Sequence, residues 1–189
     1  MKRLIIFASG SGSNAENIIN HFNETKTAKV ICVLSNNKKA KIFERCKNLK
    51  IKCLHFEREA FSKTDEILNL LKQEADFIIL AGFLWKIPEK ITRIFPNKMI
   101  NIHPALLPKY GGKGMYGMNV HKAVKENKES ETGITIHFVN EKYDDGAIIF
   151  QAKTSISADD TPETIAEKIH LLEYKYFPSI IEKVILKNE

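Results

Sequence analysis

Residues Arg3 to Asn23 read RLIIFASGSGSNAENIINHFN, and this stretch decides the fold class. Leu4 to Ala8 is an unbroken apolar run, the pattern of a strand buried on both faces. Ser9-Gly10-Ser11-Gly12 follows, and its glycines allow a tight turn or a close backbone approach to a ligand. From Asn14 to Asn23 the apolar residues Ile18, Ile19 and Phe22 share one helical face. Strand, glycine turn and helix form the opening unit of a parallel α/β fold. Met1-Lys2-Arg3 before the apolar run imitates a secretion signal. Leu4 to Ala8 is too short for one, since a signal core needs about 7–15 apolar residues.

The same unit recurs outward from this stretch. Lys29 to Ser35 and Ile51 to Phe56 read as strands, with a helix over Ala40 to Leu49 between them. Thr64 to Ala75 reads as a helix, and Asp76 to Ala81 and Met99 to His103 as two more strands. Units of about 25 residues with right-handed crossovers predict a doubly wound, Rossmann-like sheet that is mostly parallel. The last third differs. In Thr132 to Val139, Ile134, Ile136 and Phe138 alternate with Thr135, His137 and Val139. With Ala147 to Lys153 this predicts an antiparallel hairpin at the sheet edge. A C-terminal helix begins at Pro162, capped by Asp160 or Thr161, and Pro178 is expected to break or kink it. Nothing suggests a repeat or a linker, so residues 1–189 read as one domain. Within it, about 1–100, which holds the glycine turn, and about 101–189, which holds the later polar strand end and hairpin turn, read as two halves.

The chain has 189 residues, with 43% hydrophobic and 28% charged, too apolar for disorder. By area scaling about 70% of the unfolded surface is buried on folding, enough for a core without staples. No apolar run reaches the roughly 20 residues of a membrane helix. The odd count of 3 cysteines, Cys32, Cys46 and Cys53, has no CxxC spacing, which predicts reduced thiols in a cytoplasmic protein. No histidine arrangement suggests a metal. Net charge is +6, yet the arginines are few and the lysines scattered, with no interleaved aromatics. That argues against nucleic acid and for some attraction of anionic metabolites.

Three features could carry chemistry. Ser9 to Asn14, between strand and helix, suits a phosphate-sized anion at a helix N-terminus. It is equally a plain turn with Ser13 or Asn14 as helix cap. In Met99 to His103, period two puts Asn101 and His103 on one face at a strand end, where open sheets bind ligands. An amide and an imidazole there can stabilise an oxyanion. Asp144-Asp145-Gly146 sits in the hairpin turn. A carboxylate brought to His103 would hold an imidazolium, but spacing alone makes Asp-Gly a turn signal.

These residues resemble the phosphoribosylglycinamide formyltransferases, folate-dependent enzymes of purine synthesis. The likeness spans Arg3 to about Val184. It rests on SGSGSN (9–14), AGFLWKIP (81–88), NIHPALLPKYGG (101–112), TGITIHFVNEKYDDG (132–146) and LLEYKYFP (171–178). The resemblance implies that Asn101, His103 and Asp144 are catalytic, with Asp144 paired to His103. It implies that Gly12, Ser13, Asn14 and Glu173 bind phosphoribosylglycinamide. It places 10-formyltetrahydrofolate, the co-substrate, against Lys63, Leu84, Trp85, Lys86, Ile87, Asn101 and Asn140. No metal is implied, and the partners are these two small molecules, with the chain a monomer or homodimer and no membrane or nucleic acid involved. The amine would attack the formyl carbon directly, so no Ser or Cys nucleophile is needed.

Trp85 and Lys86 stand where many members carry Arg and an aliphatic residue. Lys63 stands near a frequent folate-contacting Arg, whose bidentate fork Lys cannot reproduce. The glycine-rich Lys109 to Met118 reads either as a lid or as a loose surface loop. The competing functions are a 10-formyltetrahydrofolate hydrolase, expected to carry an extra N-terminal domain, and a non-catalytic nucleotide-binding module. Transfer to aminoacyl-tRNA would call for a C-terminal RNA-binding domain.

Overall fold

The computed structural model describes residues 1–187. The chain runs β1 (Lys2–Phe7), α1 (Ser13–Thr25), β2 (Ala28–Ser35), α2 (Ile42–Asn48), β3 (Lys52–His55), α3 (Arg58–Ser62) and α4 (Glu66–Glu74). It continues β4 (Phe77–Leu80), α5 (Glu89–Thr92), β5 (Met99–His103), α6 (Met118–Glu126), β6 (Glu131–Phe138), β7 (Ile148–Ser155) and α7 (Pro162–Lys187). All seven strands form one sheet in the order β3-β2-β1-β4-β5-β6-β7. The first five are parallel. β6 and β7 join antiparallel, as the alternation in 132–139 predicts. The chain winds outward from β1 to β3, then returns to β4 on the other side of β1. That reversal opens a crevice at the carboxyl ends of β1 and β4.

The apolar runs are continuous because both sheet faces are covered. Leu4, Ile6, Val30 and Val33 pack on one face with α1 and α7 residues such as Ile18, Phe22, Ile169 and Phe177. Ile5, Phe7, Ile78 and Met99 face the other way, onto Phe61, Ile67, Leu71 and Ile91. β6 departs from the half-solvated pattern expected of an edge hairpin: Thr132 to His137 are all buried. The loop after β5 covers its second face. The Thr135 hydroxyl donates to the Ala105 carbonyl at 2.7 Å and accepts the Leu107 N–H at 3.0 Å.

Three local features differ from the sequence reading. The residue just before α1, in the capping position, is Gly12 at φ 73°, and no side chain caps the helix. α6 lies beyond the glycine-rich loop, held by Val120 and Val124 against Ala105. Its few apolar residues among lysines hide its periodicity. α7 passes through Pro178 unbroken. Proline leaves the carbonyl of Tyr174, four residues back, without its helical donor. The Asn17 side-chain amide of α1 supplies one at 2.9 Å.

Thr161 caps α7 through a reciprocal pair with Thr164: each hydroxyl accepts the other's N–H, at 3.3 and 2.9 Å. Asp160, one residue earlier, accepts from Lys168 at 2.6 Å, from Ser157 N–H at 2.7 Å and from the Thr164 hydroxyl at 2.9 Å. These bonds, Lys168 first, hold its carboxyl well below the usual range. A depressed carboxylate stabilises the fold fully above its unfolded value, about pH 4, and ceases to do so as pH falls through the folded value. Asp160→Asn should therefore melt below wild type between pH 5 and 8, with the gap closing on acidification below about pH 4. A gap independent of pH in thermal melts would refute the ion-pair account.

Among the described residues, no helix is long and apolar enough to cross a membrane.

Candidate active site

A cleft of about 670 Å³ lies at the carboxyl ends of β1, β4 and β5, walled by residues 112–118, α6 and the first half of α7. Period two puts the side chains of Asn101 and His103 together at the end of β5, and both line the cleft. Asp144 arrives from the β6–β7 connection, with its backbone at φ 50°. Its Oδ2 accepts the Gly112 N–H at 2.8 Å and stands 3.6 Å from His103 Nδ1. His103 Nε2 lies 2.7 Å from the Tyr110 carbonyl. A carbonyl only accepts, so Nε2 carries the proton and Nδ1 is left to Asp144. An imidazolium formed here is countered by the carboxylate at once.

His137 carries no sequence signal that singles it out. The β5–β6 register sets it opposite Asn101. Its Nδ1–H donates to the Phe138 carbonyl at 2.8 Å, so Nε2 accepts from the Asn101 amide at 3.1 Å. Burial holds the His137 imidazole below its ordinary value, against the pull of the Phe138 carbonyl and of Asp144. A neutral acceptor results, and it fixes which way the Asn101 amide faces.

At the other end of the cleft, α1 offers its uncapped N–H groups beside Ser11, Gly12 and Ser13. These suit an anion. A Cβ on Gly12 would lie 2.3 Å from Ile42 Cδ1, and its φ is positive, so glycine is required there. Arg45 braces the loop through the Ser11 carbonyl at 2.8 Å. Glu173, buried on α7, accepts from Asn14 Nδ2 and from His170 Nδ1, both at 2.9 Å. The bond to Glu173 raises the His170 pKa. His121 of α6 lines the same cleft, and burial lowers its pKa. Asn14 Oδ1 and His121 Nδ1 are buried without a hydrogen-bond partner. Unpaired buried polar atoms are costly, and two of them in one cleft call for a polar ligand.

A family model described as "Formyl transferase" matches residues 2–181. The chain belongs to the formyl transferase family. It is 38% identical over 187 residues to a chloroplastic phosphoribosylglycinamide formyltransferase of Arabidopsis thaliana, covering 95% of this chain and 64% of that protein. To the phosphoribosylglycinamide formyltransferase of Bacillus subtilis it is 35% identical over 194 residues, covering 100% of this chain and 97% of that one. The crystal structure of phosphoribosylglycinamide formyltransferase from Bacillus halodurans superposes with a TM-score of 0.87 at 32% identity, covering 100% of this chain and 97% of that one.

On this formyl transferase scaffold, Asn101, His103, Asp144, Gly12, Ser13, Asn14 and Glu173 all line one cleft. The residues expected to meet folate are more dispersed. Leu84 joins Asn101 in the cleft, half exposed, and its N–H donates to the Ser9 hydroxyl at 3.0 Å. Trp85 packs with Phe56, Phe61 and Phe83, and Arg58 lies over its ring at 5.3 Å. Ile87 is buried in the core beneath this loop, while Lys86 is exposed. Lys63 is exposed at the end of α3, near Glu59. Asn140 holds its own turn, donating to Asp145 and accepting the Lys142 N–H. The cation on the aromatic wall is thus Arg58, which the sequence reading does not select. Sequence reasoning also misses His121 and His170, which have no pattern of their own.

Ser13→Asp places a carboxylate at the uncapped N-terminus of α1, where it competes with any bound anion. Calorimetry with inorganic phosphate should show at least about tenfold weaker binding, or about 1.4 kcal/mol. Unchanged phosphate binding would count against an anion site at this turn.

Proposed function

We propose that the chain transfers the formyl group of 10-formyltetrahydrofolate to the amine of 5-phosphoribosylglycinamide, giving formylglycinamide ribonucleotide and tetrahydrofolate. One observation carries this reading: a single cleft holds both the Asn101–His103–Asp144 constellation and a helix N-terminus suited to phosphate. The plant relative is longer than this chain, which spans 64% of it, whereas 97% of the Bacillus subtilis protein is matched.

In this reading the phosphate sits on the Ser11–Asn14 turn, and His170, bonded to Glu173 through Nδ1, lines the same cleft. Glu173 and the unpaired Asn14 Oδ1 take the polar groups of the ribonucleotide. The glycinamide amine attacks the formyl carbon, forming a C–N bond and a tetrahedral intermediate. Asn101 and a protonated His103 stabilise its oxyanion. The bond from that carbon to folate nitrogen then breaks, and the proton lost by the amine ends on the leaving nitrogen. Asp144 balances the imidazolium from the Nδ1 side while the Tyr110 carbonyl holds Nε2, so His103 acts on the oxyanion through its charge. The folate lies along Phe83 and Leu84, and Arg58, stacked over the Trp85 ring beside them, is the cation we assign to its anionic tail.

The same intermediate is open to water, so a transferase must exclude water until its amine is in place. The segment from Gly112 to Met118 walls the cleft, and we assign it the role of lid. Gly112, Gly114 and Gly117 all have positive φ there. Mixing the protein with 10-formyltetrahydrofolate, with and without the ribonucleotide, tests function and lid together by absorbance. Cleavage without the ribonucleotide should be at least about 100-fold slower than transfer, a barrier difference of ~2.7 kcal/mol. Rapid formate release with no amine present would refute transfer and favour the hydrolase.

A further inference from the structure

We infer that Tyr110 and Glu129 are positioning residues for the His103–Asp144 pair, acting from outside the cleft through the backbone of residues 110–112. The inference rests on His103 being catalytic, but its central test does not need activity. The segment grips both members of the pair. His103 Nε2–H donates to the Tyr110 carbonyl at 2.7 Å, and the Gly112 N–H donates to Asp144 Oδ2 at 2.8 Å. Between them, Gly111 is pressed close: a Cβ there would lie 2.6 Å from Leu107 Cδ2 and 3.3 Å from Asp144 Cβ.

Tyr110 holds this grip in an unfavourable conformation. Its φ is 57°, in the left-handed region that a residue with a bulky side chain seldom adopts. Such a conformation persists only where its surroundings over-determine it. Here the side chain packs against the Ala105, Val120 and Val124 cluster, and its hydroxyl is tied down on the far side of the loop, away from the cleft. The Tyr110 hydroxyl donates to Glu129 Oε1 at 2.9 Å, and Lys109 meets the same oxygen at 2.9 Å. Both Tyr110 and Glu129 line a separate recess of about 280 Å³ behind the active site, with Pro108 and Lys153. Lys109 and Tyr110 hold the Glu129 carboxyl below its usual range, and burial followed by Glu129 pushes the tyrosine up to about 12. Both shifts fit a phenol donating to a carboxylate. Releasing this anchor frees the Tyr110 carbonyl to swing from His103. The ring proton is then contested by Asp144, which faces Nδ1, and the Nδ1–H form gains population.

The test measures the His103 tautomer in the free, full-length protein by nitrogen-15 NMR at pH 8.5, alongside kinetics. Wild type should show the Nε2–H form. Tyr110→Phe, which deletes only the hydroxyl, and Glu129→Ala should each show a mixture with Nδ1–H. Each should lower kcat about tenfold with both KM values within about twofold, because orientation and not binding is lost. The double variant should be no worse than either single one. Glu129→Gln, whose amide oxygen still accepts from the phenol, should restore most of the rate. Lys153→Met breaks the neighbouring Lys153–Glu131 pair and should leave both readouts at wild type. A wild-type tautomer in both Tyr110→Phe and Glu129→Ala overturns the inference, whether or not turnover falls. A shifted tautomer with full turnover keeps the positioning and overturns the catalytic assignment of His103.

Discussion

His103→Ala is expected to lose turnover by about 10²–10³-fold, or ~2.7–4 kcal/mol of transition-state stabilisation. The imidazole is the group at the end of β5 that can bring a full positive charge to a developing oxyanion. Asp144→Asn should lose a comparable factor. It keeps the side-chain volume, and the Gly112 N–H still finds an oxygen, but the counter-charge at 3.6 Å from Nδ1 is gone. Since the two residues work as a unit, the double variant should be little slower than the worse single one. His103 is buried, so its truncation also leaves a cavity. Turnover must therefore be measured well below the melting temperature, with circular dichroism as a check on folding. Near wild-type turnover in either single variant would withdraw that residue's role. Additive losses would mean that the two side chains act separately.

Gly133→Ala is expected to be the most damaging single methyl group in the sheet. Gly133 is on β6, opposite Lys153 of β7. A Cβ there would sit 1.9 Å from the Ala152 carbonyl oxygen and 2.7 Å from Leu106 Cδ2. The first neighbour is backbone and cannot rotate away, so β7 must be prised from β6 or the added carbon tolerated in overlap. Overpacking of this kind costs roughly 3 kcal/mol, a large share of the 5–15 kcal/mol that folds a protein. For a chain of this size the melting temperature should fall by about 6–12 °C. Gly10→Ala is the control, since nothing lies within 4 Å of the point its Cβ would occupy. A melting temperature within about 2 °C of wild type for Gly133→Ala would show that the two strands can separate at little cost.

The sequence by itself determined the sheet. Continuous apolar runs at 4–8, 30–34 and 77–81 are legible because parallel strands are covered on both faces, and burial follows directly from composition. It also determined that Asn101 and His103 share a face, because the strand period of two is local. The glycine turn before α1 is legible for the same reason. What lies between distant segments was not. Spacing makes Asp144 a turn residue, and only the packing of residues 110–112 under the β6–β7 connection brings it to His103. The alternation in β6 places His137 on a face, but the strand register chooses Asn101 as its neighbour. α6 and its His121 have too few apolar residues to show a period, and take their place by packing on α7 and Ala105. Pro178 reads as a break because a local rule sees only the missing N–H. The Asn17 amide that takes the freed carbonyl is 157 positions away in the chain. Local periodicity is written in neighbouring residues, whereas a catalytic constellation depends on which carbonyls and amides of remote segments satisfy one another when the chain closes, and that was decided by the tertiary structure alone.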